Sequence, residues 1–211
     1  MLLKEAISEN EIKYIANMLK EDCHKFIFES NLTPLFRGVR IIKQNLAKYE
    51  THKNRTSTYA ATILKGDNSF FDETNILMLK DGFKAIRTNS VLCTGSKYFA
   101  SNFGKLTAIF PIDDYNYTYS IDVRDYNEKA FGTNINPYIT INDKTYKNIY
   151  HEHENDLKKY ANYVWNKYRN TFKTTNLING IKSGNEILLN CDYYYLVDEK
   201  IFSEIREELK K

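Results

Sequence analysis

Three short segments of the chain place chemically capable side chains where local structure would hold them. In the first, Arg37 lies in a predicted strand and is followed by Gly38. The planar guanidinium of an arginine fits a phosphate or ribose oxygen. A neighbouring glycine lets a flat ligand reach the backbone N–H and C=O groups directly. The segment is therefore a candidate nucleotide contact, and the alternative is an ordinary surface arginine in a strand.

The second segment ends a predicted strand with hydroxyl groups. Thr94 and Ser96 flank Gly95, and the predicted helix that follows carries Tyr98 and Phe103. The hydroxyls are suited to orienting a carboxylate or binding a ribose, and an aromatic ring is suited to stacking on a heteroaromatic ligand. The alternative is an ordinary helix N-cap at Ser96, followed by aromatic residues of the core.

The third segment holds one acid at the start of an apolar strand. Glu186 follows a loop that contains Gly184 and precedes the run Ile-Leu-Leu. A carboxylate at that position would be held rigidly while the loop in front of it varies. The alternative is a charge that keeps the edge of a strand from pairing.

Together and in this order, the three segments resemble the Arg…Ser-Thr-Ser…Glu branch of the ADP-ribosyltransferase superfamily, over residues 30–200. The resemblance implies two overlapping groups of site residues. The catalytic group is Glu186, Arg37, Thr94 and Ser96. The group that binds NAD is Arg37, Gly38, Phe103 and Tyr98.

The activity that the resemblance implies is NAD-dependent mono-ADP-ribosyl transfer to a protein or a nucleic acid, with NAD as substrate and no metal. Cleavage of the nicotinamide–ribose bond passes through an oxocarbenium-like state, as glycoside hydrolysis does. The carboxylate of Glu186 would stabilise that positive charge, and Arg37 would fix the phosphates or ribose. The pattern is also similar to proteins of large bacteriophages, which implies action on host components in the host cytoplasm, or packaging in the virion.

Two positions depart from the family pattern. The middle segment reads Cys93-Thr94-Gly95-Ser96 rather than Ser-Thr-Ser, so its register is open. Gly184 stands two residues before Glu186, where members that modify arginine usually have Glu and others commonly have Gln. Because Gly184 supplies neither group, the acceptor stays open between a protein side chain, a nucleic acid and water.

Two other functions remain as alternatives. One is a non-catalytic phage structural or nucleotide-binding protein that keeps the fold, which Gly184 and the irregular middle segment favour. The other is a protein directed to nucleic acid, in which the basic residues of 37–55 contact phosphates and Tyr193 and Tyr195 stack on bases. Neighbouring strand residues face opposite sides, so of the three consecutive tyrosines only these two can share a face.

Other chemistry has weaker support in the sequence. Neither a phosphate-loop motif nor a dinucleotide-binding glycine motif occurs. His151 and His153 lie two residues apart in a predicted helix, where they would point to different faces, so a solvated helix start is the better interpretation. Cys93 lies in an apolar strand, which is more typical of packing than of a nucleophile.

Composition sets the class of protein. The chain has 211 residues with 30 Lys+Arg against 27 Asp+Glu, a net charge of +3, which is too small for binding a polyanion by the overall field alone. Three widely spaced cysteines exclude a disulfide scaffold and, with no visible signal peptide, predict a reducing cytosol. No apolar run reaches the roughly 18 residues of a membrane span.

The elements that must position the site predict an α+β fold in one domain, 1–211. Helices are predicted over 4–29, much of 57–87, 97–103, 151–170 and 199–211. Strands are predicted over 35–39, 90–94, 106–112, 186–189 and 193–197, with 40–58 and 173–183 as loops. The resemblance implies an N-terminal helical region (1–30), a split antiparallel β-sheet core (31–198) and a C-terminal helix (199–211).

Overall fold

A computed structural model of the chain describes residues 7–40, 44–51, 68–131, 138–141, 144–147 and 154–211. The α-helices in these ranges are α1 (Glu9–Asp22), α2 (His24–Ser30), α3 (Ser69–Lys80), α4 (Lys97–Ser101), α5 (Tyr126–Phe131), α6 (Glu154–Tyr168), α7 (Leu177–Ser183) and α8 (Glu199–Leu209). The strands are β1 (Phe36–Val39), β2 (Leu46–Glu50), β3 (Val91–Thr94), β4 (Lys105–Pro111), β5 (Asn116–Ser120), β6 (Tyr138–Ile141), β7 (Lys144–Lys147), β8 (Phe172–Lys173), β9 (Glu186–Asn190) and β10 (Tyr193–Asp198).

Eight of these strands form one sheet in the order β2-β10-β4-β1-β3-β9-β5-β8, and its strand pairs are antiparallel. Strands β6 and β7 pair with each other in a separate two-stranded sheet. The predicted α+β class is therefore confirmed. Inside the large sheet, β1 and β3 share a single residue pair, Phe36 with Thr94, whereas β1 and β4 share four.

Helices cover both faces of the large sheet. One face packs against α1, α2, α7 and α8, and the other against α3, α5 and α6. Strand β9 contributes to both cores, because Ile187 and Leu189 face the first and Leu188 faces the second. A strand buried on both faces needs apolar residues at every position, which explains the continuous Ile-Leu-Leu run.

The N-terminal region is helical, as predicted, but it contains two helices instead of one. Ser8 caps α1, since its hydroxyl accepts a hydrogen bond from the Glu11 amide at 3.2 Å. The Glu11 carboxylate accepts a hydrogen bond from Asn45 Nδ2 at 2.9 Å rather than closing a capping box. Residues 4–6 lie outside the described ranges, and the rest of the single helix predicted over 4–29 is two helices, because the backbone leaves helical geometry at Cys23.

Two segments predicted as loops contain regular structure. Within 40–58, β2 pairs with β10 at the end of the sheet, and an edge strand tolerates charges such as Lys48. Within 173–183, α7 forms and ends at Gly184, whose φ of 71° is the left-handed conformation of a helix C-cap. Position 180, inside α7, is a glycine because an added Cβ would come within 2.7 Å of the Tyr119 ring.

The remaining helical predictions hold at their centres. The helices predicted at 97–103, 151–170 and 199–211 are α4, α6 and α8. The helical prediction over 57–87 is correct only for α3, and residues 57–67 of it lie outside the described ranges. Among the described residues, no helix has both the length and the apolar character to cross a bilayer. The assignment of 1–211 to one domain stays a prediction.

Candidate functional site

The three segments with candidate chemistry lie on three neighbouring strands. Strand β3 pairs with β1 on one side and with β9 on the other. In that register Thr94 lies opposite both Phe36 and Glu186, so the three residues form one row across the sheet. Arg37 follows Phe36 directly, so it lies beside this row at the same end of β3, although strand alternation starts its side chain on the opposite face from those of Thr94 and Glu186.

Beyond this row β1 and β3 stop pairing, and Arg37 occupies the place where they separate, which we call the β1–β3 gap. Its guanidinium Nη1 donates a hydrogen bond to the Leu92 carbonyl at 2.8 Å, so a side chain satisfies an acceptor that the ladder leaves unpaired. The guanidinium has five N–H donors. This bond therefore leaves donors for a ligand oxygen in the gap.

Gly38 lets the end of α4 pack against β1. A Cβ at Gly38 would lie 2.2 Å from the Ala100 carbonyl oxygen and 2.9 Å from the Phe103 carbonyl carbon. Contacts that short exclude any side chain, so packing alone requires glycine here. A ligand contact at Gly38 remains a prediction.

Hydrogen bonds fasten the middle segment to the turn that precedes Glu186. The Thr94 hydroxyl donates to the Gly184 carbonyl at 2.6 Å and accepts from the Ser96 amide at 3.0 Å. Ser96 caps α4 as predicted, because its hydroxyl accepts from the Phe99 amide at 3.2 Å. A Cβ at Gly95 would lie 1.8 Å from the Ile181 carbonyl oxygen, so that glycine allows the segment to touch α7.

The carboxylate of Glu186 forms an ion pair with Arg87. Oxygen Oε1 accepts a hydrogen bond from Arg87 Nη1, and the two side chains are 11% and 10% exposed. Burial raises the pKa of Glu186, Arg87 opposes the rise, and the charge of Asp125 adds to it. Burial alone would lower the pKa of Arg87, but the charges of Glu186 and Asp125 hold it above its ordinary value.

A small cavity lies beside this ion pair. Its lining combines both charges with mostly apolar side chains: Met78, Arg87, Thr118, Val123, Tyr126, Phe172, Glu186 and Leu188. The Thr118 side chain is buried, and its hydroxyl has no hydrogen-bond partner among the described residues. An unpaired buried hydroxyl costs free energy, so the wall of this cavity offers a hydrogen bond to a small polar group.

The candidate stacking rings lie on and after α4, at the surface. Tyr98 is 81% exposed and Phe103 is 61% exposed. Phe103 makes an edge-to-face contact with Phe99 at 5.5 Å between ring centroids. Arg124 links these rings to the acid, since its guanidinium lies 5.6 Å from the Phe99 ring and its carbonyl accepts from the Glu186 amide at 2.8 Å.

Sequence reasoning missed Arg87 and Asp125. Arg87 opens a short 3-10 turn (Arg87–Asn89) at the end of a segment predicted as helical, and its backbone N–H donates to Asn75 Oδ1 of α3 at 3.2 Å. No local pattern marks either residue as part of a site. Only the packing of α3 and α5 beside β9 brings them to Glu186.

Two of the alternative sites lose support. Burial raises the pKa of the Cys93 thiol, and its Sγ donates to the Ile187 carbonyl at 3.3 Å, as expected for packing. Tyr193 is 45% exposed, but Tyr195 is 4% exposed and its hydroxyl donates to Asp22, so these rings form no common stacking platform. The described residues contain no group of three metal-ligating side chains, and His151 and His153 lie outside them.

The site therefore has a carboxylate in a largely water-excluded setting and a guanidinium in contact with it. The second guanidinium, that of Arg37, lies in the β1–β3 gap at the Leu92 carbonyl. Such a carboxylate is suited to stabilising a positive charge that develops on a bound sugar, because a low-dielectric environment strengthens the interaction.

No protein-family model matches the chain, and no curated protein or solved structure is significantly similar to it.

Proposed function

We propose that the protein is an NAD-dependent mono-ADP-ribosyltransferase whose essential catalytic residue is Glu186. The observation that carries the proposal is the row in which Thr94 stands opposite Glu186, with Arg37 beside it on the next strand. These residues come from the three segments that resemble the Arg…Ser-Thr-Ser…Glu pattern. The single pair between β1 and β3 agrees with the split sheet that this resemblance implies.

The proposed reaction begins with cleavage of the bond between C1′ of the ribose and the nicotinamide nitrogen. Nicotinamide leaves as a neutral molecule with the bonding electron pair, and positive charge develops on the ribose. The Glu186 carboxylate accepts a hydrogen bond from a ribose hydroxyl and stabilises that charge. A nucleophile of the acceptor then attacks C1′ and loses its proton to solvent.

The other site residues hold NAD in place. The N–H groups that Arg37 does not use for the Leu92 carbonyl bind phosphate or ribose oxygens, which fixes the geometry of the leaving group. The exposed ring of Phe103 stacks on nicotinamide, with Tyr98 beside it, and the backbone of Gly38 contacts the same ligand. Thr94 and Ser96 keep the turn before Glu186 in position through their hydrogen bonds.

The acceptor is a macromolecule, either a protein or a nucleic acid. A residue that would select an arginine acceptor is missing, because position 184 is a glycine that the backbone requires in the left-handed conformation. In the phage-encoded form of the proposal, the protein acts on host components in the host cytoplasm.

Substitution of the catalytic acid tests the proposal. We expect Glu186→Gln to lower the rate of nicotinamide release from NAD by about 10²–10³, the size of effect seen when one electrostatic stabiliser is removed. The assay follows transfer of labelled ADP-ribose into host lysate together with release of nicotinamide. The matched control is Glu50→Gln, at an exposed position on β2 far along the sheet from β9.

The control variant should retain the wild-type rate, and both variants should retain the wild-type circular dichroism spectrum. A folded Glu186→Gln protein that turns over NAD at the wild-type rate would falsify the assignment.

A second candidate is a nucleotide-binding protein without turnover. The observation that favours it is the ion pair itself, because Glu186 already has a cationic partner. Titration calorimetry separates the two functions. Heat of NAD binding without release of nicotinamide, in the presence of lysate, supports the binding protein, whereas release supports the transferase.

A further inference from the structure

The carboxylate of Glu186 receives its hydrogen bond from a residue outside the three motif segments. Among the described residues, Arg87 alone donates to that carboxylate, and it contacts only Oε1. Thr94 lies opposite Glu186 in the sheet, yet its hydroxyl donates to the Gly184 carbonyl. Thr94 therefore binds the backbone of the turn before Glu186, whereas Arg87 binds the Glu186 carboxylate.

Both ends of this ion pair are fixed by backbone contacts. The Asn89 side chain closes the turn that carries Arg87, because its Oδ1 accepts from the Ile86 amide at 2.9 Å. On the other side, the Asn185 side chain donates to the Ser120 and Ile121 carbonyls, each at 2.9 Å. These bonds fix the backbone of the two segments that carry the charged groups, so Arg87 and Glu186 start from defined positions on either side of the pair.

We propose that Arg87 is a positioning residue for Glu186: its guanidinium holds Oε1, favours the charged form of the carboxylate and leaves Oε2 to bind the substrate hydroxyl. A carboxylate has two acceptor oxygens, so one cation can orient it without occupying both. The role toward a substrate rests on the proposed function. The effect of Arg87 on the ionisation of Glu186 does not.

The other groups near Glu186 act against ionisation. Asp125 precedes α5 and places a second negative charge near the carboxylate. Burial has the same effect on the charged form. Arg87 is thus the group in this set that favours a charged Glu186.

The test measures the ionisation of Glu186 directly. Carbon-13 NMR follows the side-chain carboxyl resonances with pH, and the Glu186 signal is assigned by its loss in Glu186→Gln. We expect Arg87→Gln to raise the apparent pKa of Glu186 by about one unit or more. We expect Asp125→Asn to lower it. The matched control is Arg169→Gln, which removes a guanidinium that lies 3.6 Å from Asp81 at a side-chain exposure of 46%.

The kinetic test asks whether the same contact serves the substrate. In Arg87→Gln, the low-pH limb of the kcat profile for NAD cleavage should move to higher pH by the shift seen in the NMR titration. In Arg87→Lys, the charge remains but the planar fork is lost, so we expect kcat to fall about tenfold with KM for NAD within twofold of wild type.

Several results would overturn the proposal. An unchanged pKa of Glu186 in folded Arg87→Gln would do so, as would a wild-type kcat in Arg87→Lys. If Arg87→Gln does not fold, the other two variants decide. An unchanged pKa of Glu186 in Asp125→Asn, or an unchanged kcat in Arg87→Lys, counts against the proposal. If wild-type protein does not cleave NAD, the proposed function fails, and the titration still decides whether Arg87 sets the ionisation of Glu186.

Discussion

Glu186 and Asp198 are two acids at strand ends that differ in the direction of their pKa shifts. Each forms an ion pair with one cation, Arg87 or Lys105, and each acid side chain is 11% exposed. Burial raises the pKa of Glu186 and prevails over its partner. At Asp198 burial acts in the same direction, but the hydrogen bonds from Lys105 and from the Lys200 amide outweigh it and lower the pKa.

The difference lies in the surroundings of the two pairs rather than in the acids themselves. The Arg87 side chain is 10% exposed, whereas the Lys105 side chain is 37% exposed. Asp198 also caps α8, where the helix N-terminus favours a negative charge. Glu186 instead has a second acid nearby, Asp125. One ion pair thus accompanies a lowered pKa at Asp198 and a raised pKa at Glu186, because the two acids differ in their other neighbours.

The largest expected effect comes from breaking the two pairs on the cation side. Removing one partner of a buried ion pair leaves an uncompensated charge, so Arg87→Gln should lower the free energy of unfolding by about 3–5 kcal/mol. Lys105→Met breaks a pair whose cation is 37% exposed and therefore partly solvated, and it should cost only about 0.2–1 kcal/mol. Urea unfolding of both variants at pH 7 measures the difference, and equal losses would contradict it.

A smaller effect separates the charge of Asp198 from its capping role. Asp198→Ala removes both the ion pair and the acceptor for the Lys200 amide, which lies 3.1 Å from Oδ1, so it should cost about 1 kcal/mol or slightly more. Asp198→Asn keeps a good N-cap and should cost only a few tenths of a kcal/mol. Thermal unfolding compares the two, and equal melting temperatures would show that capping contributes nothing here.

The smallest expected effects are pH slopes of opposite sign. The pKa of folded Asp198 lies below its ordinary 3.8, so its contribution to stability is present above that pH and is lost as the pH falls below it. The pKa of folded Glu186 lies above its ordinary 4.5, so between 4.5 and the raised pKa the native protein binds more protons than the unfolded chain, and stability declines as the pH rises through that interval.

Unfolding measured between about pH 2.5 and 7 tests both slopes by difference. The free energy of unfolding of wild type minus that of Asp198→Asn should decrease as the pH falls below 3.8. The free energy of unfolding of wild type minus that of Glu186→Gln should decrease as the pH rises above 4.5. Two differences with the same sign would remove the contrast between the acids.

Local patterns predicted the elements that depend on neighbouring residues. Ser8 and Ser96 cap helices as their positions before apolar runs indicate, and the strand at Glu186 follows from its apolar run. Strand β2 was missed because an edge strand carries charges on residues such as Lys48. Helix α7 was missed because Asn179-Gly180 is typical of a turn, whereas contact with Tyr119 is what requires that glycine.

The amino-acid sequence alone determined the α+β class, because hydrophobic periodicity, caps and turn residues act over a few positions. The resemblance of its three short segments to a known pattern singled out Arg37, Thr94 and Glu186 as candidates. Tertiary structure decided that Thr94 stands opposite Glu186 and that Arg87 holds the carboxylate. Strand register and side-chain contacts between distant segments depend on how the whole sheet and its helices pack. That dependence is why Arg87, the cation that pairs with Glu186, has no sequence motif of its own.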